Sequence, residues 1–226
     1  QAFPKIAKWF FIGQVRKKLG KGYDVDKHFT PKYFPWDQRL CLVPDDDLFG
    51  AIKNGGANVV TDHIKRFTKT GIELKSGERL EADIVVSATG LELEVMGGAI
   101  FNVDGEIVDF SKLTTYKGLM VSNVPNMVST FGYVNASWTL RADLISEWVC
   151  RTLNHMSKTH TSKVVPLVPD ALKDMPTQDW ITDFPAGYLK RGMHLQPRQG
   201  DRAPWINSQD FRKERALFKV PIEADD

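Results

Sequence analysis

The chain has 226 residues, 42% of them hydrophobic, enough to bury the core of one large domain or of parts of two. A net charge of +2 with no basic-aromatic module argues against a nucleic-acid partner, and no apolar run is long enough to cross a bilayer. Cys41 and Cys150 stand far apart in no metal or redox spacing, so they read as free thiols of a reducing, cytoplasmic compartment.

The first element is a helix from Phe3 to Leu19. Phe3, Ile6, Ala7, Phe10, Phe11 and Val15 recur at helical spacing, basic residues gather in the last turn, and Gly20 with Gly22 ends it. Such a basic, aromatic helix packs on a neighbouring domain in preference to a membrane surface. Gly20-Lys-Gly22 is not a dinucleotide loop, because it follows a helix and lacks a third glycine at Val25. Prolines 31, 35 and 44 leave His28 to Phe49 mostly extended, with a short strand at Leu40–Val43. Asp45 or Asp46 then caps a helix over Leu48–Asn54.

From Ala57 the pattern becomes regular. Asn58–Thr61, Ile64–Thr68 and Ile72–Leu74 read as strands, with turns at Thr70-Gly71 and Ser76-Gly77, and this β-meander leads into Ala82–Gly90. That last stretch, Ala-Asp-Ile-Val-Val-Ser-Ala-Thr-Gly, is a strand predicted to be buried on both faces of a parallel sheet. It ends in small residues that let backbone approach a flat or charged ligand. An ordinary buried strand with a tight exit has the same pattern.

A hairpin through Asp104-Gly105 and a short strand at Gly118–Ser122 follow. Next comes a long helix whose apolar face is Leu140, Leu144, Ile145, Trp148, Val149, Thr152 and Leu153, capped by Asn135 or Ser137. Its N-terminus suits electron-rich ligand atoms, or is simply a capped end packed on a sheet. Beyond Ser157, four prolines divide the chain into short pieces, with a helix at Gln178–Asp183 and a solvated charged face at Arg212–Arg215. None of the five histidines has metal-ligand spacing, so no metal site is expected.

Taken together, Leu80–Gly90, Pro35–Pro44, Val124-Pro-Asn-Met127, Phe131–Asp143 and Gly200-Asp-Arg-Ala-Pro-Trp205 resemble, in order and spacing, the C-terminal half of class B flavoprotein monooxygenases. Within that class the sequence is similar to the Baeyer–Villiger monooxygenases of the ethionamide-activating type, over nearly its whole length. The resemblance implies an α/β, Rossmann-like three-layer fold with a β-meander, part of a two-dinucleotide-binding-domain flavoprotein whose N-terminal half is missing here. It divides the chain into the end of an NADPH-binding domain (1–86), the end of an FAD-binding domain (87–160) and an irregular extension (161–226).

The activity implied is NADPH-driven reduction of FAD, capture of O2 as a C4a-(hydro)peroxyflavin, and oxygen insertion into a ketone or transfer to a sulfide or thioamide. Carried over by residue, Ala88, Thr89 and Gly90 lie near FAD, and Asn135, Trp138, Thr139 and Leu140 lie at the flavin ring. Gln38 and Arg39 match the region near NADPH; the catalytic residues are not assigned. The family's glycine loops for FAD and NADPH and its fingerprint are absent. A chain without those pyrophosphate anchors is expected to hold FAD weakly or not at all, and as it begins at Gln1 it reads as a C-terminal fragment. The alternative is a non-catalytic interaction domain that kept the sheet and lost the loops; a disulfide reductase is disfavoured by the lack of a Cys-x-x-Cys pair.

Overall fold

The computed structural model describes residues 3–38, 40–41, 43–182 and 184–224. The chain divides into two compact units, Gln1–Gly90 and Leu91–Asp226.

In the first unit, α1 (Pro4–Leu19) begins with proline in its first turn and stops at Gly20, whose φ of +85° a side chain would resist. Ile12, Val15 and Leu19 pack with Val25, Phe49 and Ile52 into a small core. Ile6, Trp9 and Phe10 of α1 stay in solvent, Trp9 being 77% exposed, while Phe11 is half-buried with its ring edge-on to Trp36. Asp24 caps the one-turn α2 (Val25–His28), accepting from the Lys27 amide at 3.0 Å. Helix α3 spans Asp47–Lys53, but the predicted cap is not made. Asp45 and Asp46 adopt left-handed φ values of 51° and 60°, and Asp46 pairs with Lys18 instead.

The meander is present as β1 (Ile64–Phe67), β2 (Gly71–Leu74) and β3 (Arg79–Glu81), paired antiparallel in that order. Gly71 is required there, since a Cβ would sit 1.9 Å from the Leu80 carbonyl oxygen. Glu73 is buried on β2 and takes Lys65 Nζ at 2.6 Å and Arg66 Nε at 2.8 Å. Those two bonds hold its carboxyl down at about 2.

Three predicted strands are corrected. Asn58–Thr61 forms no ladder, and neither do Leu40, Cys41 and Val43; Leu42 lies outside the described residues. The larger correction concerns Ala82–Gly90, which leaves β3 as unpaired extended chain. Ile84 is 83% and Val86 82% exposed, where burial on both faces was expected. A strand exists only through neighbours that take its N–H and C=O groups, and among the described residues this happens only at its first residue, where the Ala82 amide donates to the Thr70 carbonyl at 2.9 Å.

In the second unit, the predicted hairpin forms as β4 (Asn102–Val103) and β5 (Glu106–Ile107), with positive φ at Asp104 and Gly105 as a tight two-residue turn demands. The strand expected at Gly118–Ser122 is reduced to β7 (Met120–Val121), paired with β6 (Thr115–Tyr116). Helix α4 (Trp138–Thr159) is the longest element and buries Arg141, Ile145, Trp148 and Thr152. Leu140 and Leu153, expected on its inner face, are 39% and 58% exposed.

The expected helix at 178–183 is instead strand β8 (Gln178–Asp179), paired with β9 (Arg198–Gln199); Asp183 lies outside the described residues. Between them comes α5 (Gly187–Gly192), and α6 (Phe211–Phe218) closes the unit, its first amides held by the Asp210 carboxylate at 2.9 and 3.2 Å. Ile145 and Trp148 of α4 meet Phe218 of α6, Tyr116, Met120 and Trp205 in the main core. Every pairing between these strands is antiparallel, the isolated bridges Pro35–Gln38 and Thr114–Arg198 being parallel, so the described residues form a mixture of helices and small sheets. No helix among the described residues is long and apolar enough to cross a membrane.

Candidate cofactor site

The richest constellation in the second unit surrounds the entrance of α4. Phe131 to Val134 run inward, Gly132, Tyr133 and Val134 being buried, and the chain then surfaces at Asn135, Ala136 and Ser137 before the helix starts. Ser137 stands at the N-cap position yet makes no side-chain bond to the helix; its Oγ meets Thr139 Oγ1 at 2.7 Å. The first turn carries no acidic residue either. The positive end of a 22-residue helix is therefore left without a carboxylate or side-chain cap, which favours negative or electron-rich groups placed there.

An aromatic cluster flanks this entrance. The Phe131 ring lies 5.0 Å from Trp138 and 4.7 Å from Trp180, centroid to centroid. Gly132 permits the packing, because a Cβ would come within 2.2 Å of Trp138 Cγ. Beside Asn135 opens a polar hollow of about 280 Å3, lined also by Thr182, Asn207, Gln209, Asp210 and Lys213. Phe131 and Trp180 further line an apolar cavity of about 150 Å3 with Met96, Leu119, Met120 and Met127.

Beneath the entrance lies a buried ionic network that sequence reasoning missed. Arg141, fully enclosed, donates from Nη1 to the Phe131 carbonyl at 3.0 Å and from Nη2 to Asn207 Oδ1 and Glu214 Oε1, both at 2.8 Å. Burial lowers the Arg141 pKa, and the Glu214 carboxylate opposes that shift. Burial, reinforced by Glu214, pushes the Tyr133 phenol well above its usual range, so it stays protonated. Glu214 was expected on a solvated face over Arg212–Arg215; it is buried, because α6 turns its carboxylate onto the enclosed Arg141 guanidinium. The available signal was spacing: Arg141, Ile145, Trp148 and Thr152 form one helical stripe, and a charge on that stripe needs a buried partner.

The residues singled out from sequence fall into both units. Asn135, Trp138, Thr139 and Leu140 come together, exposed, at the α4 entrance. Ala88, Thr89 and Gly90 end the first unit, exposed; Gly90 has φ +110° and nothing within 4 Å of where a Cβ would be. Gln38 is half-buried and bridges to Pro35, while Arg39 lies outside the described residues. Cys41 and Cys150 are free, exposed thiols.

No family model and no solved structure matches the chain. Curated proteins do. The FAD-containing monooxygenase EthA of Mycolicibacterium smegmatis is 49% identical over 92% of the chain, and EthA of Mycobacterium tuberculosis is 47% identical over 97%. A protein of Acinetobacter baylyi named "Probable FAD-binding monooxygenase AlmA" is 44% identical over 97%. The chain spans only 42%, 44% and 43% of the lengths of these relatives. With such identity over nearly all its residues, the chain belongs to the EthA-, AlmA- and MymA-type FAD monooxygenases and represents under half the length of one.

Proposed function

We propose that the chain is the C-terminal half of an FAD- and NADPH-dependent monooxygenase that inserts one oxygen atom of O2 into a ketone or transfers it to a sulfide or thioamide. In this reading the whole protein has the Rossmann-like, two-dinucleotide-binding arrangement. Residues 1–86 complete its NADPH-binding domain, 87–160 its FAD-binding domain, and 161–226 form an extension. The observation that carries the reading is the α4 entrance, a long helix without an acidic first turn or a side-chain cap, which belongs to a chain whose relatives are named for FAD.

The residues fit one wall of a flavin site. Asn135, Trp138, Thr139 and Leu140 present exposed side chains and helix N–H groups suited to the electron-rich edge of the isoalloxazine. FAD, when bound, supplies the oxygen chemistry, and these residues orient it and exclude water. Ala88, Thr89 and Gly90 are proposed to lie against FAD where small side chains permit close approach, with Gln38 and Arg39 toward NADPH. The pyrophosphate anchors belong to the remainder of the parent protein.

Expression of the full-length polypeptide that contains this chain tests the reading. Purified protein should be yellow with FAD and should consume NADPH faster on addition of ketones or sulfides, whereas residues 1–226 alone should purify colourless. A colourless full-length protein, or NADPH consumption indifferent to every such acceptor, would refute it.

A further inference from the structure

We infer that Arg141 is a positioning residue which, clamped by Glu214 and Asn207, fixes the aromatic entrance of α4, so that α6 governs the geometry presented to the flavin. The inference rests on the reading above only in naming what the entrance faces.

The loop over 131–137 has no sheet to hold it, and two of its backbone groups are satisfied by side chains from elsewhere. The Phe131 carbonyl accepts from Arg141, and the Val134 amide donates to Gln209 Oε1 at 2.9 Å. Asn207, which shares Arg141 Nη2 with Glu214, is itself pinned. Its amide donates to Gln199 Oε1 at 2.8 Å, and its Nδ2 donates to the Trp180 carbonyl at 3.0 Å. Since the Trp180 ring packs on Phe131, the contacts close a circuit from Phe131 through Arg141, Asn207 and Trp180 back to Phe131. Trp138, the first residue of α4, packs against Phe131 of that circuit with the two rings tilted at 51°. Gly118 makes room for the clamp, because a Cβ there would stand 2.2 Å from Arg141 Nη2 and 2.7 Å from Asn207 Oδ1. A displaced guanidinium therefore releases a backbone carbonyl directly behind the Phe131–Trp138 pair.

A role in stability alone makes a different prediction, because buried ion pairs can often be exchanged for apolar side chains without loss of stability. The test uses the full-length polypeptide, labelled with 5-fluorotryptophan, the Trp138 fluorine resonance being assigned with Trp138→Phe. The double variant Arg141→Met/Glu214→Leu should keep its melting temperature, while the Trp138 resonance shifts or broadens and FAD retention falls roughly tenfold. A folded double variant with both readouts unchanged overturns the inference. Should the double variant not fold, Gln209→Met, which removes only the bond to the Val134 amide, should move the same resonance by a smaller amount; no movement overturns the inference as well. If the unmodified protein carries no FAD, the flavin reading fails, and the Trp138 resonance still judges the clamp.

Discussion

Two stretches carry the strongest sequence signals, and they meet opposite fates. Ala82–Gly90 has the pattern of a strand buried on both faces and stands in solvent, whereas Phe131–Val134 runs into the packed interior of the second unit just ahead of α4. The difference is where each element finds its hydrogen bonds. A helix closes its ladder within itself and needs only one packed face, which α6 and the core around Trp148 provide to α4. A strand has no internal partner, so its burial depends wholly on neighbouring strands. The aliphatic pattern of residues 82–90 is thus a statement about a sheet, and the described residues supply no other strand of it.

This contrast is most severely tested at the Arg141–Glu214 pair. Glu214→Leu strands a buried guanidinium and should cost about 3–5 kcal/mol in urea unfolding of the second unit, most of it recovered on adding Arg141→Met. Next in size, Gly118→Ala drives a methyl group into the same guanidinium and should cost about 1–3 kcal/mol, because φ +66° and the close approach both oppose it.

Acid titration separates the units. The ion pairs of Glu73 stabilise the meander fully above its ordinary pKa of 4.5, and that contribution is lost as pH falls toward about 2. Glu73→Gln should therefore flatten the acid limb of the first unit, followed by the near-ultraviolet signal, and leave the second unit unchanged.

The smallest effect is expected at the exposed strand. Ile84→Asp and Val86→Asp should each alter the stability of residues 1–226 by less than about 0.5 kcal/mol. Amides 84–89 should exchange with deuterium orders of magnitude faster than those in the middle of α4. In the full-length polypeptide the same aspartates should prove disruptive if the segment is there a buried strand; equal tolerance in both contexts would remove the sheet from the proposal.

By itself the sequence determined the elements whose signals are local. These include α1 with its terminal glycine, the meander with its turns, the Asp104-Gly105 hairpin and most of α4, because periodicity and turn chemistry act over a few residues. Motif order likewise foretold the flavin-monooxygenase relatives. Only the tertiary structure decided what depends on partners distant in the chain. The strand expected at residues 82–90 lies unpaired, the residues expected to form a helix from 178 pair with β9, and Glu214 leaves a charged surface run to neutralise an arginine 73 positions away. A hydrogen-bond partner or a counter-ion has no fixed spacing in sequence, so the residues it serves become legible only once the chain has brought the two together.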